Sequence, residues 1–149
     1  MALLELINAN LRIAHKVCNS YFRDPDDRDD AFQEMMYQLW RSYPRFDGRS
    51  KFSTWMYGVC LNTALTYKRK LKENEPLSGK HEQIAEVTKD EKTDLLNAAI
   101  STLSPINKAI ILLYLEEMSY DEIAGITGLT RSNVSVKIVR IKKELKDKL

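Results

Sequence analysis

Two cysteines in 149 residues, Cys18 and Cys60, are too few and too far apart for a disulfide framework, and no C-x-x-C pair occurs. A reducing compartment is therefore expected. No apolar run approaches the ~18 residues of a membrane span. The first residues lack the layout of a signal peptide, so the cytoplasm is the default location. Glycine and proline number only five and four, and runs of β-branched residues are almost absent, which argues for helices throughout. No G-x-x-x-x-G-K-[ST] loop is present to cradle a nucleotide. Nor does the chain hold a nucleophile paired with a base, or a cluster of metal ligands. His15 stands alone, without Cys or carboxylate partners at ligand spacing. The expectation is a protein that is no enzyme by itself and has no metal and no cofactor.

Net charge is also nearly missing, at +2 from 23 basic and 21 acidic residues. The charge is segregated along the chain, however. Residues 2–22 read as a single amphipathic helix ending near Asp24-Pro25. Between 24 and 34, six acids then face one cation, Arg28. A calcium loop is excluded, because no glycine sits mid-loop and no glutamate closes it at the twelfth position. Acids at a helix N-terminus, favoured by its dipole, fit better. The following helix, DDAFQEMMYQLW, puts Phe32, Met35, Met36, Leu39 and Trp40 at helical spacing, and all five are expected in the core. Asp30, Gln33, Glu34 and Gln38 fall on the other side. That acidic surface repels DNA and suits a basic protein partner.

Residues 41–72 reverse the sign: eight cations face Asp47 alone, interleaved with Tyr43, Phe46, Phe52, Trp55, Tyr57 and Tyr67. Asp47-Gly48 marks a turn, and Ser50 or Ser53 caps a helix running to about Lys72. Cations that track phosphates beside aromatics that stack on bases are what single-stranded nucleic acid needs. Part of this set belongs to the core instead. Trp55, Met56, Val59 and Cys60 share a face with Thr63 and Ala64, so base stacking and core packing both stay open for Trp55. Residues 73–92 are polar, acidic on balance and broken by Pro76 and Gly79, which reads as a flexible linker. It divides a helical unit over 1–72 from a second over 93–149. The second opens with LLNAAISTL (95–103). A helix follows, capped by Ser104 with Pro105 in its first position, with Ile106, Ala109, Ile110 and Leu113 facing inward.

The stretch 119–145 reads as a helix-turn-helix. Ser119 and Glu122 make a capping box, Gly128 supplies the turn, Leu129 tucks inward and Thr130 caps the second helix. Val134, Ile138, Ile141 and Leu145 form one buried stripe. Off that stripe lie Arg131, Ser132, Asn133, Ser135, Lys137, Arg140, Lys142 and Lys143. Over 131–149 seven cations face two acids. Short polar side chains first and cations later suit base edges and then phosphates. A plain helical hairpin with a solvated basic face is the bland alternative.

Taken together, DDAFQEMMYQLW, the F-x-x-W of Phe52 and Trp55, Asn62, the KRK of 68–70 and LSPINKAIILLYLEEMSYDEIAGITGLTRSNVSVKIVRIKKEL resemble the sigma-70 family over nearly the whole chain. The similarity is to its small two-domain members, the extracytoplasmic-function (ECF) sigma factors of bacterial RNA polymerase. The resemblance implies an all-α protein with a region 2-like unit over 1–72 and a region 4-like helix-turn-helix unit over 93–149, working in promoter recognition and DNA opening. It implies that Asp30, Gln33, Glu34 and Gln38 dock on the clamp helices of the large catalytic subunit of RNA polymerase. By the same resemblance Arg49, Lys51, Phe52, Trp55, Asn62, Tyr67, Lys68 and Arg69 melt the proximal promoter element and hold a flipped base. Arg131, Ser132, Asn133, Ser135, Val136, Lys137 and Arg140 then read the distal, duplex element. Many relatives are held inactive by an anti-sigma factor, a further partner that the resemblance allows. One departure bears on specificity. Family members commonly carry Lys, Ser and Arg after the buried Val, and here Ser135, Val136 and Lys137 stand there. Val136 either meets a thymine methyl or is merely tolerated.

Two rival readings stand beside this one. A stand-alone helix-turn-helix regulator would bind a two-fold symmetric duplex without polymerase. A structural protein would use its first unit only as a docking surface. Neither has an evident need for an acidic helix start and a cationic aromatic helix in one unit.

Overall fold

The computed structural model describes residues 2–74 and 91–149. Every regular element among them is helical: α1 (Leu3–Ala9), α2 (Leu11–Tyr21), α3 (Pro25–Ser42), a 3-10 turn (Tyr43–Arg45), α4 (Phe52–Asn74), α5 (Glu91–Ser101), α6 (Pro105–Leu115), α7 (Tyr120–Thr127) and α8 (Arg131–Lys148). They form two compact units, one on each side of residues 75–90. Pro76 and Gly79, on which the linker reading rests, lie outside the described residues.

In the first unit α2, α3 and α4 pack against one another. Their shared core is Ile13, Ala14, Val17, Cys18 and Tyr21 with Ala31, Met35 and Leu39, and Met56, Tyr57, Cys60, Leu61 and Ala64. Asp24 caps α3 by accepting from the Asp26 amide at 2.8 Å, Pro25 takes the first position, and Asp26 and Asp27 occupy the first turn. The acids therefore sit where the helix dipole favours them. Burial pushes the Cys60 thiol up to about 12 and that of Cys18 to about 11. Both are neutral, apolar core residues at ordinary pH.

Two expectations are corrected. Residues 2–22 are two helices, broken at Asn10, whose φ of −121° is not helical. Its side chain donates to the Leu6 carbonyl at 2.9 Å, the local competition by which Asn interrupts a helix. Trp40 is not core but 73% exposed. A step of four residues advances by about 40° around an α-helix. The row Ala31, Met35 and Leu39 stays buried, whereas the neighbouring row Phe32, Met36 and Trp40 runs from half-buried to exposed. α4 starts at Phe52, between the two serines considered as caps.

In the second unit α6 lies at the centre, touching α5, α7 and α8, and all of Ala109 to Leu113 are buried. Ser104 caps it by accepting from the Asn107 amide. The capping box of α7 is formed in both directions, Ser119 N to Glu122 Oε1 at 3.0 Å and Glu122 N to Ser119 Oγ at 3.1 Å. Gly128 turns the chain with φ of 78°, and Thr130 caps α8 through the Asn133 amide at 3.1 Å. Val134, Ile138, Ile141 and Leu145 are buried as one stripe, while Leu129 is half-buried.

These glycines give a paired prediction. Gly125, inside α7, has open space where a Cβ would go, so Gly125→Ala is expected to stabilise this unit by about 0.5–1 kcal/mol. Gly128→Ala also meets no neighbour, but it must hold φ of 78°, which costs about 1 kcal/mol. Thermal unfolding of the two variants should shift in opposite directions.

Candidate nucleic-acid interface

Three surfaces carry the candidate residues. On α3, Asp30, Gln33 and Glu34 are exposed and Gln38 is half-buried. Gln38 Nε2 donates to Glu34 Oε1 at 2.9 Å, one turn earlier. Tyr37 and Trp40, 55% and 73% exposed, stand four and seven residues after Gln33 on this same side. The sequence reading missed both as surface residues. The drift of the second apolar row was the signal that pointed to Trp40.

The second surface surrounds the start of α4. Tyr43, Phe46, Phe52 and Trp55 are all half-buried and pack ring on ring. From Trp55 the centroids lie 5.2 Å to Phe46, 5.4 Å to Phe52 and 6.1 Å to Tyr43. Trp55 is thus neither sealed in the core nor free: its neighbours fix the ring and leave part of it open. The turn before α4 is set by Gly48, with φ of 78°, and by Asp47 Oδ1 accepting from the Arg49 amide at 3.0 Å. Arg49 Nε also pairs with Asp47 at 3.0 Å. Both partners are exposed, so the pair contributes little and a phosphate can replace the carboxylate.

Steps of four, seven and seven put Lys51, Trp55, Asn62 and Arg69 on one side of the helix, and Lys51, Asn62 and Arg69 are exposed there. Tyr67 and Lys68 depart from that stripe. Tyr67 Oη donates to Asp30 Oδ2 at 3.3 Å, and its ring meets Phe22 edge-on at 5.5 Å. Partial desolvation, with the negative charges of Asp30 and Asp27, holds the Tyr67 phenol above its usual range and so neutral. Lys68 Nζ donates to the Tyr21 carbonyl at 3.1 Å, at the C-terminal end of α2 where a cation is favoured, and lies 5.7 Å from the Phe22 ring. These two candidates serve packing between helices in this conformation.

The third surface is the part of α8 outside its buried stripe. Arg131, Ser132, Asn133 and Arg140 are exposed, and Ser135 and Lys137 are half-buried. Val136 and Val139 are exposed among them. Arg131 lies 3.8 Å from Asp121 in a loose surface pair. Two other cations turn away from this side. Lys142 hydrogen-bonds the Tyr114 hydroxyl and sits 4.3 Å from that ring, a contact that raises its pKa. Lys148 donates to Thr102 Oγ1 and to Glu144. They fasten α8 to α6 and to Thr102 just after α5, which leaves Arg131, Lys137, Arg140, Lys143 and Lys146 for an anionic ligand. Among the described residues, no three His, Cys, Asp or Glu side chains gather as a metal site, and no helix is long and apolar enough to cross a membrane.

Comparison with known proteins covers both units. The family model for Sigma-70 region 2 matches residues 6–73, and that for Sigma-70, region 4 matches residues 93–145. The chain is 25% identical over 138 residues to the RNA polymerase sigma factor SigV of Bacillus subtilis, spanning 91% of this chain and 83% of that protein. It is 28% identical over 142 residues to the ECF RNA polymerase sigma-E factor of Haemophilus influenzae, spanning 83% and 75%. Its fold is shared with the sigma factor RpoE of Bartonella quintana, solved in complex with the anti-sigma factor NepR, at a TM-score of 0.79 and 17% identity over 97% of this chain and 94% of that one. A stand-alone helix-turn-helix regulator leaves the match over residues 6–73 without a reason. With both regions present in order, this chain belongs to the sigma-70 family, as an ECF-type sigma factor of bacterial RNA polymerase.

Proposed function

We propose a division of labour between the units. The first, proposed to span 1–72, docks on the clamp helices of the large catalytic subunit through Asp30, Gln33, Glu34 and Gln38, with Tyr37 and Trp40 as apolar anchors beside them. It then opens the proximal promoter element at the aromatic cluster, where Phe52 and Trp55 offer ring surface and Arg49, Lys51, Asn62 and Arg69 line the path of the displaced strand. The second unit, proposed to span 93–149, reads the distal duplex element with α8. The observation that carries this reading is the pairing, inside one three-helix unit, of an acidic face on α3 with a cation-rimmed, half-open aromatic cluster at the head of α4.

No bond is made or broken by this chain in that scheme, and opening is driven by binding. Unstacking a base costs a few kcal/mol. Stacking on an aromatic returns about 1–3 kcal/mol per base, and cations that displace counterions from phosphates supply the rest. Both sources are gained only while polymerase holds the strands in place, so the free chain opens no DNA. The work belongs in the bacterial cytoplasm. An anti-sigma partner is part of the proposal, since the Bartonella fold neighbour was solved with one.

Transcription from a promoter library by core polymerase, with and without the chain, is the test. Start sites that need the chain and share two upstream elements at fixed spacing are expected. Polymerase-independent binding to a palindromic duplex, with no new transcripts, would overturn the proposal. Within that assay Arg131→Ala is expected to cost about 1–3 kcal/mol at one position of the distal element if Arg131 touches a base. A uniform loss over all sequences marks it as a phosphate contact.

A further inference from the structure

Val136 and Val139 are 48% and 67% exposed on α8, on the side turned away from the buried stripe. Valine is among the weaker helix formers, because its β-branched side chain is stiff, and neither residue gains core packing here. Their surroundings on this side are hydrophilic: Ser132 lies one turn before Val136, and Arg140 and Lys143, both exposed, come after it. An apolar step two side chains wide, fenced by a hydroxyl and two cations, is small for a protein partner. It fits the one apolar group displayed in the major groove, the C5 methyl of thymine. Three residues advance a helix by ~4.5 Å, close to the ~3.4 Å separation of successive bases.

We infer that Val136 and Val139 read thymine methyl groups at neighbouring positions of the distal element, while Arg140 and Lys143 hold flanking phosphates. The inference rests on the assignment of α8 to that element. It adds Val139, which lies outside the polar set, as a specificity residue. It also gives a purpose to Val136 standing where family members commonly carry Ser: a serine hydroxyl can bond to more than one base edge, whereas a valine favours the methyl of an A·T pair.

Deoxyuridine differs from thymidine by this methyl alone, which makes the test direct. The full chain is reconstituted with core polymerase on a promoter recovered from the library, and each thymine of the distal element is replaced singly by deoxyuridine. At two neighbouring positions holoenzyme affinity is expected to fall about fourfold, the transfer value of one buried methyl. Val136→Ala should abolish the sensitivity at one position and Val139→Ala at the other. Both side chains are exposed, so the fold and the affinity for core polymerase should be unchanged. A uracil penalty that survives in both variants overturns the inference. So does a promoter that is transcribed normally with uracil at every distal thymine, and this outcome leaves the promoter-reading assignment of α8 standing. Failure of the chain to direct any promoter-dependent transcription sinks both together.

Discussion

Glu34→Lys and Trp40→Ala are expected to weaken binding to core RNA polymerase without changing the melting temperature of the chain. Glu34 is exposed on α3 and held in place by Gln38 at 2.9 Å. Reversing its charge replaces an attraction to a basic surface by a repulsion, and like charges brought together across an interface cost several kcal/mol. Trp40, 73% exposed, presents a large apolar face to water in the free chain. Tryptophan anchors of this kind cost at least ~2 kcal/mol when truncated at an interface centre. The two act differently on kinetics. Charge reversal at Glu34 should slow association and lose much of its effect at high salt. Loss of Trp40 should speed dissociation at any salt. Titration of core polymerase with labelled chain at two ionic strengths separates them. Normal affinity in both variants removes α3 from the docking surface.

Much of this was legible in the sequence where the signal is local. The capping box of Ser119 and Glu122, the left-handed Gly128, the Thr130 cap and the stripe from Val134 to Leu145 each depend on residues within a few positions. All of them form as expected. The Asp24-Pro25 start of α3 and the Ser104-Pro105 start of α6 are legible for the same reason.

Tertiary facts were not legible. Periodicity put Phe32, Met36 and Trp40 with the core because they recur every four residues. Which of two adjacent rows a neighbouring helix covers is decided by that neighbour. Charge counting placed Lys68 among phosphate-binding cations, but it cannot reveal that the Tyr21 carbonyl lies 3.1 Å from its ammonium group. Lys142 and Lys148 were counted in the same way, and they turn towards Tyr114 and Thr102. A cation's partner 28 or 46 residues away leaves no mark on the sequence around it.

Trp55 was open between base stacking and core packing in the sequence; the structure packs its ring among three aromatics and leaves part of it exposed, from which the second large effect follows. Its ring is held by Tyr43, Phe46 and Phe52 and half open to solvent. Truncation therefore removes packing as well as a surface on which a base can stack. Trp55→Ala is expected to destabilise the first unit by about 2–3 kcal/mol, below the full cost of a buried Trp. It should also lower holoenzyme affinity for a single-stranded proximal-element oligonucleotide by roughly 10- to 100-fold, the value of one stacked base. Trp55→Phe keeps an aromatic ring in the cluster and should recover most of both. Affinity for core polymerase and for the distal duplex, proposed to rest on α3 and α8, should change little in either variant. If Trp55→Ala loses polymerase binding together with the oligonucleotide, its ring supports the unit as a whole and base capture falls to Phe52 and the cations around it. If only the oligonucleotide is lost, the half-open ring is where the melted strand is held.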